Sequence, residues 1–567
     1  MKRLIFILFA LSFSLQIEGV AQSSLVPSYH PVYEWLYLQR VKGVLPDYDY
    51  ESLPLNRATI LEHLKELDLL ENKSVKEEKT LQSFLEEFDP THLNKDYTHS
   101  LFERGERISW DRFKGWISNN GEKHLFSSTS EGGFLVLDHG YGRRPMYVND
   151  GGRELSSAAV MLQHWRSYGS YRNNIGYHAE LIRAQPIARF LSFGFKEILE
   201  YDGFYHYNWK SLNGQYYVNY HYEAYATFSH NIFEASIGRG NLKEGVGQSE
   251  NLVFSRSSIP IDWIQLKVGT PFINYKMIHG KPTWKSTRTP LPSDSTILTK
   301  NSPERWLAYH KVNIQPLPWI DLSVYEMINY SNRGAEISYL NPVNRYAFAE
   351  WELQDQDNGW MGASMVLRPF TGLEAYTELL VDDLGNKKDI IFKKEFPKTS
   401  RFGRKYGASY ALKWGAQLWS EYTRIDPFLY SHPYDLNGHL DKGIGLGSQV
   451  GPNGDRLEGG LKIWGVGRTF VSMSYSYNRQ GLDVYDTNGE RTFLAGASVN
   501  DGRDLNIPRT NLFLDGDLHT WHRLLLEAQW EFKRGYVLKV HADQRLMIEG
   551  NQRGDQSIIW ADIVIGF

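Results

Sequence analysis

The chain has 567 residues, with 62 Lys and Arg against 66 Asp and Glu, a formal net charge of −4 and no cysteine. This balance excludes a general nucleic-acid binder, and the missing cysteines exclude disulfides, thiolate ligands and thiol nucleophiles. Mean hydropathy is −0.45, and after the first residues there is no apolar run of about 18 residues, which excludes helical membrane spans.

Residues 1–21 carry the three parts of a secretory signal. Lys2 and Arg3 supply a positive start, LIFILFALSFSL (4–15) is too short for a stable anchor, and Gly19 and Ala21 are small residues suited to cleavage. Gln22 is expected to open the mature chain, and no cysteine follows that could carry a lipid anchor.

From about residue 27 to 95 the apolar spacing is helical. HPVYEWLYLQRVKG (30–43) sets Val32, Trp35, Leu36, Leu38 and Val41 near one face and stops at Gly43. A second helix is predicted from Asn56 through Ile60, Leu61, Leu64 and Leu67. A third, over about 74–88, carries Leu81, Phe84, Leu85 and Phe88 ahead of Asp89–Pro90. Three amphipathic helices predict a small soluble bundle over 22–100. It is expected on the periplasmic side, because an exported chain meets that compartment first.

Beyond about residue 105 the period changes to two. In QYYVNYHYEAYATF (215–228), Tyr216, Val218, Tyr220, Tyr222, Ala224, Ala226 and Phe228 share one face. Leu524, Leu526, Ala528, Trp530 and Phe532 likewise oppose Leu525, Glu527, Gln529, Glu531 and Lys533. A soluble sandwich or propeller has a similar composition, but a charged inner row is too polar for a packed sandwich core and natural for a watery lumen. Aromatics at 14% suit girdles at the two membrane interfaces. The final IIWADIVIGF (558–567) puts Ile559, Ala561, Ile563, Ile565 and Phe567 on one apolar stripe, as the closing strand of a lipid-embedded barrel requires. Segments of about 25 residues allow roughly 16 to 18 transmembrane strands over 101–567. Polar insertions at about 280–302, 383–400, 426–442 and 484–508 are candidate extracellular loops.

Several stretches resemble the Wzi-type capsule-assembly family of outer-membrane barrels. They include IGRGNLKEGVGQSENLVFSRSSIPIDWIQLKV (237–268), RWLAYHKVNIQPLPWIDLSVYEMINYSNRG (305–334), ISYLNPVNRYAFAEWELQDQDNGWMGASMVLRP (337–369), ELLVDDL (378–384), EYTRIDPFLYSH (421–432) and GLGSQVGPNGD (445–455). The chain departs from the family in GRGNLKEGVG (238–247), where a tryptophan is expected beside the second glycine. The resemblance implies an all-β transmembrane barrel of about 18 antiparallel strands with a small N-terminal periplasmic helical bundle. It also implies a lectin that retains capsular or another surface polysaccharide at the cell surface. The alternative is a porin-like diffusion channel, suggested by the polar lumen face. The other expected partners are outer-membrane lipid and the barrel-assembly machinery, with no nucleic acid.

Sugar binding needs flat apolar faces and carboxylate or amide groups that take hydroxyl bonds. QDQDNGW (354–360) offers Asp355, Asp357, Asn358 and Trp360, although such a loop also reads as one packed on its own Trp. Trp284, with Lys281, Lys285 and Arg288 beside it, suits an acidic polymer, or equally a membrane-interface Trp. In EYTRIDPFLYSHPYD (421–435), Glu421 and Arg424 read as a lumen ion pair, with Tyr430, His432 and Tyr434 in the loop beyond. Catalysis finds no motif: His310, His432 and His541 are scattered, and there is no GxSxG turn or metal-spaced His pair. Asp382 and Asp383, if in a strand, point to opposite faces and cannot share a proton. No enzymatic activity, cofactor or metal is expected.

Overall fold

The computed structural model describes residues 23–94, 98–102, 109–118, 121–130, 132–150, 153–172, 174–186, 219–283, 303–354, 356–382, 400–499, 507–509, 512–549 and 552–566. Three helices come first: α1 (Pro31–Val41), α2 (Arg57–Asp68) and α3 (Val75–Phe88). Each start is capped by a side chain that accepts an otherwise unpaired amide, from His30, Asn56 and Ser74 respectively. Ser74 and Glu77 form a reciprocal capping box. Gly43, at φ +77°, supplies the left-handed residue that ends the first helix.

The wall is a closed barrel of 18 antiparallel strands. The first six are β1 (Gly133–Asp150), β2 (Arg153–Tyr171), β3 (Ile175–Pro186), β4 (Asn219–His230), β5 (Phe233–Gly240) and β6 (Ile261–Gly269). Next come β7 (Ile273–Lys281), β8 (Arg305–Leu317), β9 (Ile320–Ser331), β10 (Asn358–Phe370), β11 (Leu373–Asp382) and β12 (Arg401–Leu412). The last six are β13 (Ala416–Ile425), β14 (Gly454–Trp464), β15 (Phe470–Leu482), β16 (Asp517–Lys533), β17 (Tyr536–Glu549) and β18 (Gln552–Ile565). Closure is made by β18 on β1, from Gln556 opposite Asp150 to Ile565 opposite Tyr141.

The wall therefore starts at Gly133, not near 101. Residues 98–130 form a short strand (Thr98–Phe102), a helix α4 (Trp110–Ser118) and a strand Glu122–Ser130. Because β18 reaches only to Tyr141, the first residues of β1 have an open edge, and Phe126–Ser130 pairs with it.

Period-two alternation decides the faces. In β4, His221, Glu223, Tyr225 and Thr227 are buried inside, while Tyr222 and Phe228 lie exposed on the outer wall. The outer surface is a belt of large apolar side chains, among them Val324, Leu418, Leu524, Trp530 and Ile563. Water would strongly disfavour such a continuous belt, and hydrocarbon accommodates it. The C-terminal stripe of Ile559, Ile563 and Ile565 belongs to this belt.

The turns β2–β3, β4–β5, β6–β7, β8–β9, β10–β11, β12–β13 and β16–β17 are tight and share one end, which in outer-membrane barrels faces the periplasm. The helices sit at that end but are not a free-standing bundle. Their apolar core takes in Trp464 and Ala411 of the wall. Gly372 donates its amide to Val41 O at 3.0 Å, and Arg534 reaches Glu86 at 2.6 Å. The helices thus pack across the mouth at the short-turn end.

Candidate functional site in the plugged lumen and its outer cap

From the short-turn end, α1 sends two side chains inward. Tyr37 donates to Glu374 at 2.8 Å, and Arg40, almost fully buried, bonds Glu374 at 2.8 Å and Glu51 at 2.7 Å. Asp321 lies 3.2 Å from Arg40 and is shared with Arg368. A buried guanidinium is tolerated only when its donors are met this fully. Glu34 lies beside Arg256, at 2.6 Å, and Lys462, at 3.0 Å. Burial opposes its charge, yet these two cations hold its carboxyl well below the usual carboxylate range.

From the opposite end, the β5–β6 connection (241–260) dives into the lumen. Lys243–Glu244 pairs antiparallel with Ser52–Leu53, so segments from the two mouths meet as one small sheet. Glu244 is fully buried and lies 2.6 Å from Lys276 on β7, 2.7 Å from Lys311 on β8 and 2.8 Å from Ser52 Oγ. Beyond it, Ser249 donates to Glu421, and Lys405 pairs with the same carboxylate at 3.0 Å. Gly245 and Gly247 adopt φ +124° and +104°. A Cβ on Gly247 would stand 2.4 Å from a Glu421 oxygen, so only glycine lets the loop pass between these carboxylates. Lys243 lies over the Tyr50 ring at 3.4 Å and donates to Tyr50 O. Burial, then the nearby Arg256 cation, brings its ammonium down to about 7.

The β13–β14 connection (426–453) caps this loop from outside. Tyr430 donates to Leu252 O at 2.7 Å, and His439 bonds Val253 O at 2.7 Å. Burial holds the His439 imidazole down to about 4. Arg305 at the outer end of β8 donates to three carbonyls of the cap, those of Leu436, Gly438 and Leu440.

The residues singled out in sequence fall in different places. Trp284, Lys285, Arg288 and Asp355 lie outside the described residues. Asn358 and Trp360 are not in a loop: they open β10, because their alternation continues that of the strand. Trp360 is buried against Tyr430, at 5.5 Å, and His439, at 4.9 Å. Asp357 is buried and taken by Arg333 and by Tyr339, at 2.7 Å. Tyr430 is likewise a core residue of the cap. His432 stacks on the exposed Tyr434 at 5.6 Å, and this pair faces outward. Glu421 and Arg424 do not pair. Three residues apart in a strand they face opposite sides, so Glu421 meets Lys405 inside while Arg424 pairs with Asp426 at 3.0 Å. Asp382 is buried beside Arg401, and Asp383 lies outside the described residues. The residues that build the plug junction, Arg40, Glu244, Lys276, Lys311 and Arg305, had no local motif. Their only signal was inward spacing on the strands and the KEGVG run between them.

These features define a transmembrane β-barrel whose lumen holds segments entering from both mouths. No protein-family model matches the sequence, and no curated protein matches it. Among solved structures, the chain superimposes on Wzi, an outer membrane protein involved in group 1 capsule assembly in Escherichia coli and described as a carbohydrate-binding β-barrel. The TM-score is 0.54 over 96% of this chain and 100% of that one, at 12% identity. The chain has the Wzi fold. OprD of Pseudomonas aeruginosa matches with TM-score 0.38 and 10% identity over 76% of this chain and 95% of its own. OpdK of the same organism, solved with vanillate, gives 0.41 and 8% over 76% and 99%.

Proposed function

We propose that this protein is an outer-membrane lectin that binds a capsular or other surface polysaccharide and retains it at the cell surface, by binding and not by catalysis. The observation that carries this reading is the junction of Ser52–Leu53 with Lys243–Glu244, locked by Glu244, Lys276 and Lys311. A lumen occupied in this way leaves the outer connections as the working surface. The sharing of its architecture with the carbohydrate-binding barrel Wzi, over nearly the whole chain, supports the same reading. The outward His432–Tyr434 stack offers a ring face for sugar C–H groups, and Trp284, Lys285, Arg288 and Asp355 are further proposed contacts. Outer-membrane lipid and the barrel-assembly machinery complete the proposed partners, and the N-terminal signal is removed on export.

Deleting the gene and staining the polymer tests the proposal. Polymer shed to the medium from bare cells is the expected result; a normal cell-associated layer with none shed would overturn it. Pull-down of native polymer by Y434A and W284A variants then assigns the contacts. Planar-bilayer conductance distinguishes the channel reading, since a protein with its plug in place should be close to silent.

A further inference from the structure

The first part of the β9–β10 connection (332–354) neither projects into water nor folds into the lumen. It turns down over the outside of the wall. Its two short helices, α5 (Ile337–Leu340) and α6 (Tyr346–Glu352), cover the outer faces of β7, β8 and β9 near their upper ends. Exposure along the outward row of β9 records the cover directly. Val324 is 59% exposed, whereas Ile328 and Tyr330, two and three pleat repeats higher, are at 0%.

Beneath the cover the wall is polar where the belt elsewhere is apolar. Glu326 faces outward on β9 and accepts from Arg345 at 2.9 Å, from the Tyr346 amide at 2.9 Å and from His310 at 3.2 Å. His310 stacks on Tyr346 at 4.1 Å, and His279 meets Tyr330 at 2.8 Å. A carboxylate on the outer wall needs such partners, because lipid supplies none. The flap stands where lipid would otherwise touch the wall.

Its far side presents four large apolar side chains among exposed polar ones such as Asn341, Arg345 and Glu352. Ile337, Val343, Phe348 and Trp351 are all more than half exposed, Val343 at 88%, and Phe348 and Trp351 lie 5.5 Å apart. Val324, Leu322 and Met361 of the belt, on the strands β9 and β10 that flank this connection, are exposed as well. Trp and Phe beside an Arg that covers one ring, as Arg345 does Phe348 at 5.4 Å, is the composition of a membrane-interface element.

We infer that residues 332–354 form a flap seated in the outer leaflet, with lipid at the boundary of acyl chain and headgroup as its partner. The inference depends on the barrel spanning a membrane and is independent of the polymer it binds. Because the chain has no cysteine, single substitutions give unique labelling sites. V343C and I337C on the flap, V324C in the belt and N488C in an exposed outer loop would each carry a bimane. The labelled proteins would be placed in phosphatidylethanolamine–phosphatidylglycerol vesicles containing acyl-brominated lipid. Labels at V343C and I337C should be quenched by the brominated lipid at least half as strongly as V324C, and by aqueous iodide at least threefold less than N488C. Iodide quenching equal to that of N488C, with V324C protected, overturns the flap alone. Emission that shifts with the protein-to-lipid ratio assigns the face to a second copy of the chain and also overturns it. An iodide-accessible V324C sinks the membrane-spanning reading and the flap with it.

Discussion

The inward charges Lys276, Lys311 and Lys405 on β7, β8 and β12 are dry, whereas Glu527 on β16 and Lys539 on β17 keep contact with water. Lys276, Lys311 and Lys405 are nearly fully buried and bonded to segments that enter the lumen. Glu527 and Lys539 also face inward, yet half of the Glu527 side chain is accessible and Lys539 is exposed. Both sides show the same alternation of charge and apolar residue. The difference teaches that such a pattern states which way a residue points, and nothing about whether water or protein meets it there. A dry ion pair stands or falls with its partner, while a wet one is screened and replaceable.

The largest expected effect comes from the dry side. E244A removes the one carboxylate that both buried ammonium groups contact, and should cost about 3–5 kcal/mol. Thermal unfolding in detergent would show it, and bilayer recordings should show conductance events absent from the native protein. A melting curve unchanged by E244A would end the distinction between the two sides. G247A, which forces a Cβ toward the Glu421 carboxylate at a positive φ, is expected to cost about 1–3 kcal/mol by the same measurement.

Titration sharpens the comparison at the cap. His439 protonates near its ordinary value in the unfolded chain but only at about 4 when buried, with the Arg305 cation nearby. The unfolded state therefore binds more protons between those values, and cap stability falls as pH drops from about 6.5 to 4. Each tenfold change in proton affinity is worth about 1.4 kcal/mol. Hydrogen exchange over 436–442, corrected for its intrinsic pH dependence, should quicken across that window, and H439Q should abolish the trend. Lys243 obeys the same rule at higher pH: its folded value near 7 makes stability rise from there toward 10.5. The smallest effect belongs to the watery side. E527A should change stability by no more than about 0.5 kcal/mol. A loss of several kcal/mol would mean that this side, too, is dry.

Much of the fold was legible because it rests on short periods. The three helices were readable from 3.6-residue spacing and their caps, and the strands from the alternation of residues such as Tyr222 with Glu223. The site was far less legible. Trp360 looked like a loop platform because its neighbours Asp357 and Asn358 are turn formers; the strand begins among them, and the ring is consumed by Tyr430 and His439. Spacing puts Glu421 in the lumen without identifying its partner. Local sequence offers Arg424, and the cation that reaches Glu421 is Lys405, on the neighbouring strand.

The sequence by itself determined the direction of each strand residue, the greasy outer stripe that ends in Ile563 and Ile565, and the helical character of the N-terminal segment. These follow from backbone geometry and the water–hydrocarbon boundary, which act over a few residues at a time. Only the tertiary structure decided that the helices would stopper the barrel, that the KEGVG loop would pair with Ser52–Leu53 between them, and that residues 332–354 would lie on the outer wall. Those outcomes depend on charge pairs such as Arg40 with Glu374, 334 positions apart in the chain. Ion pairing carries no periodicity, so the choice of partner appears only once the barrel has closed and brought distant strands within reach.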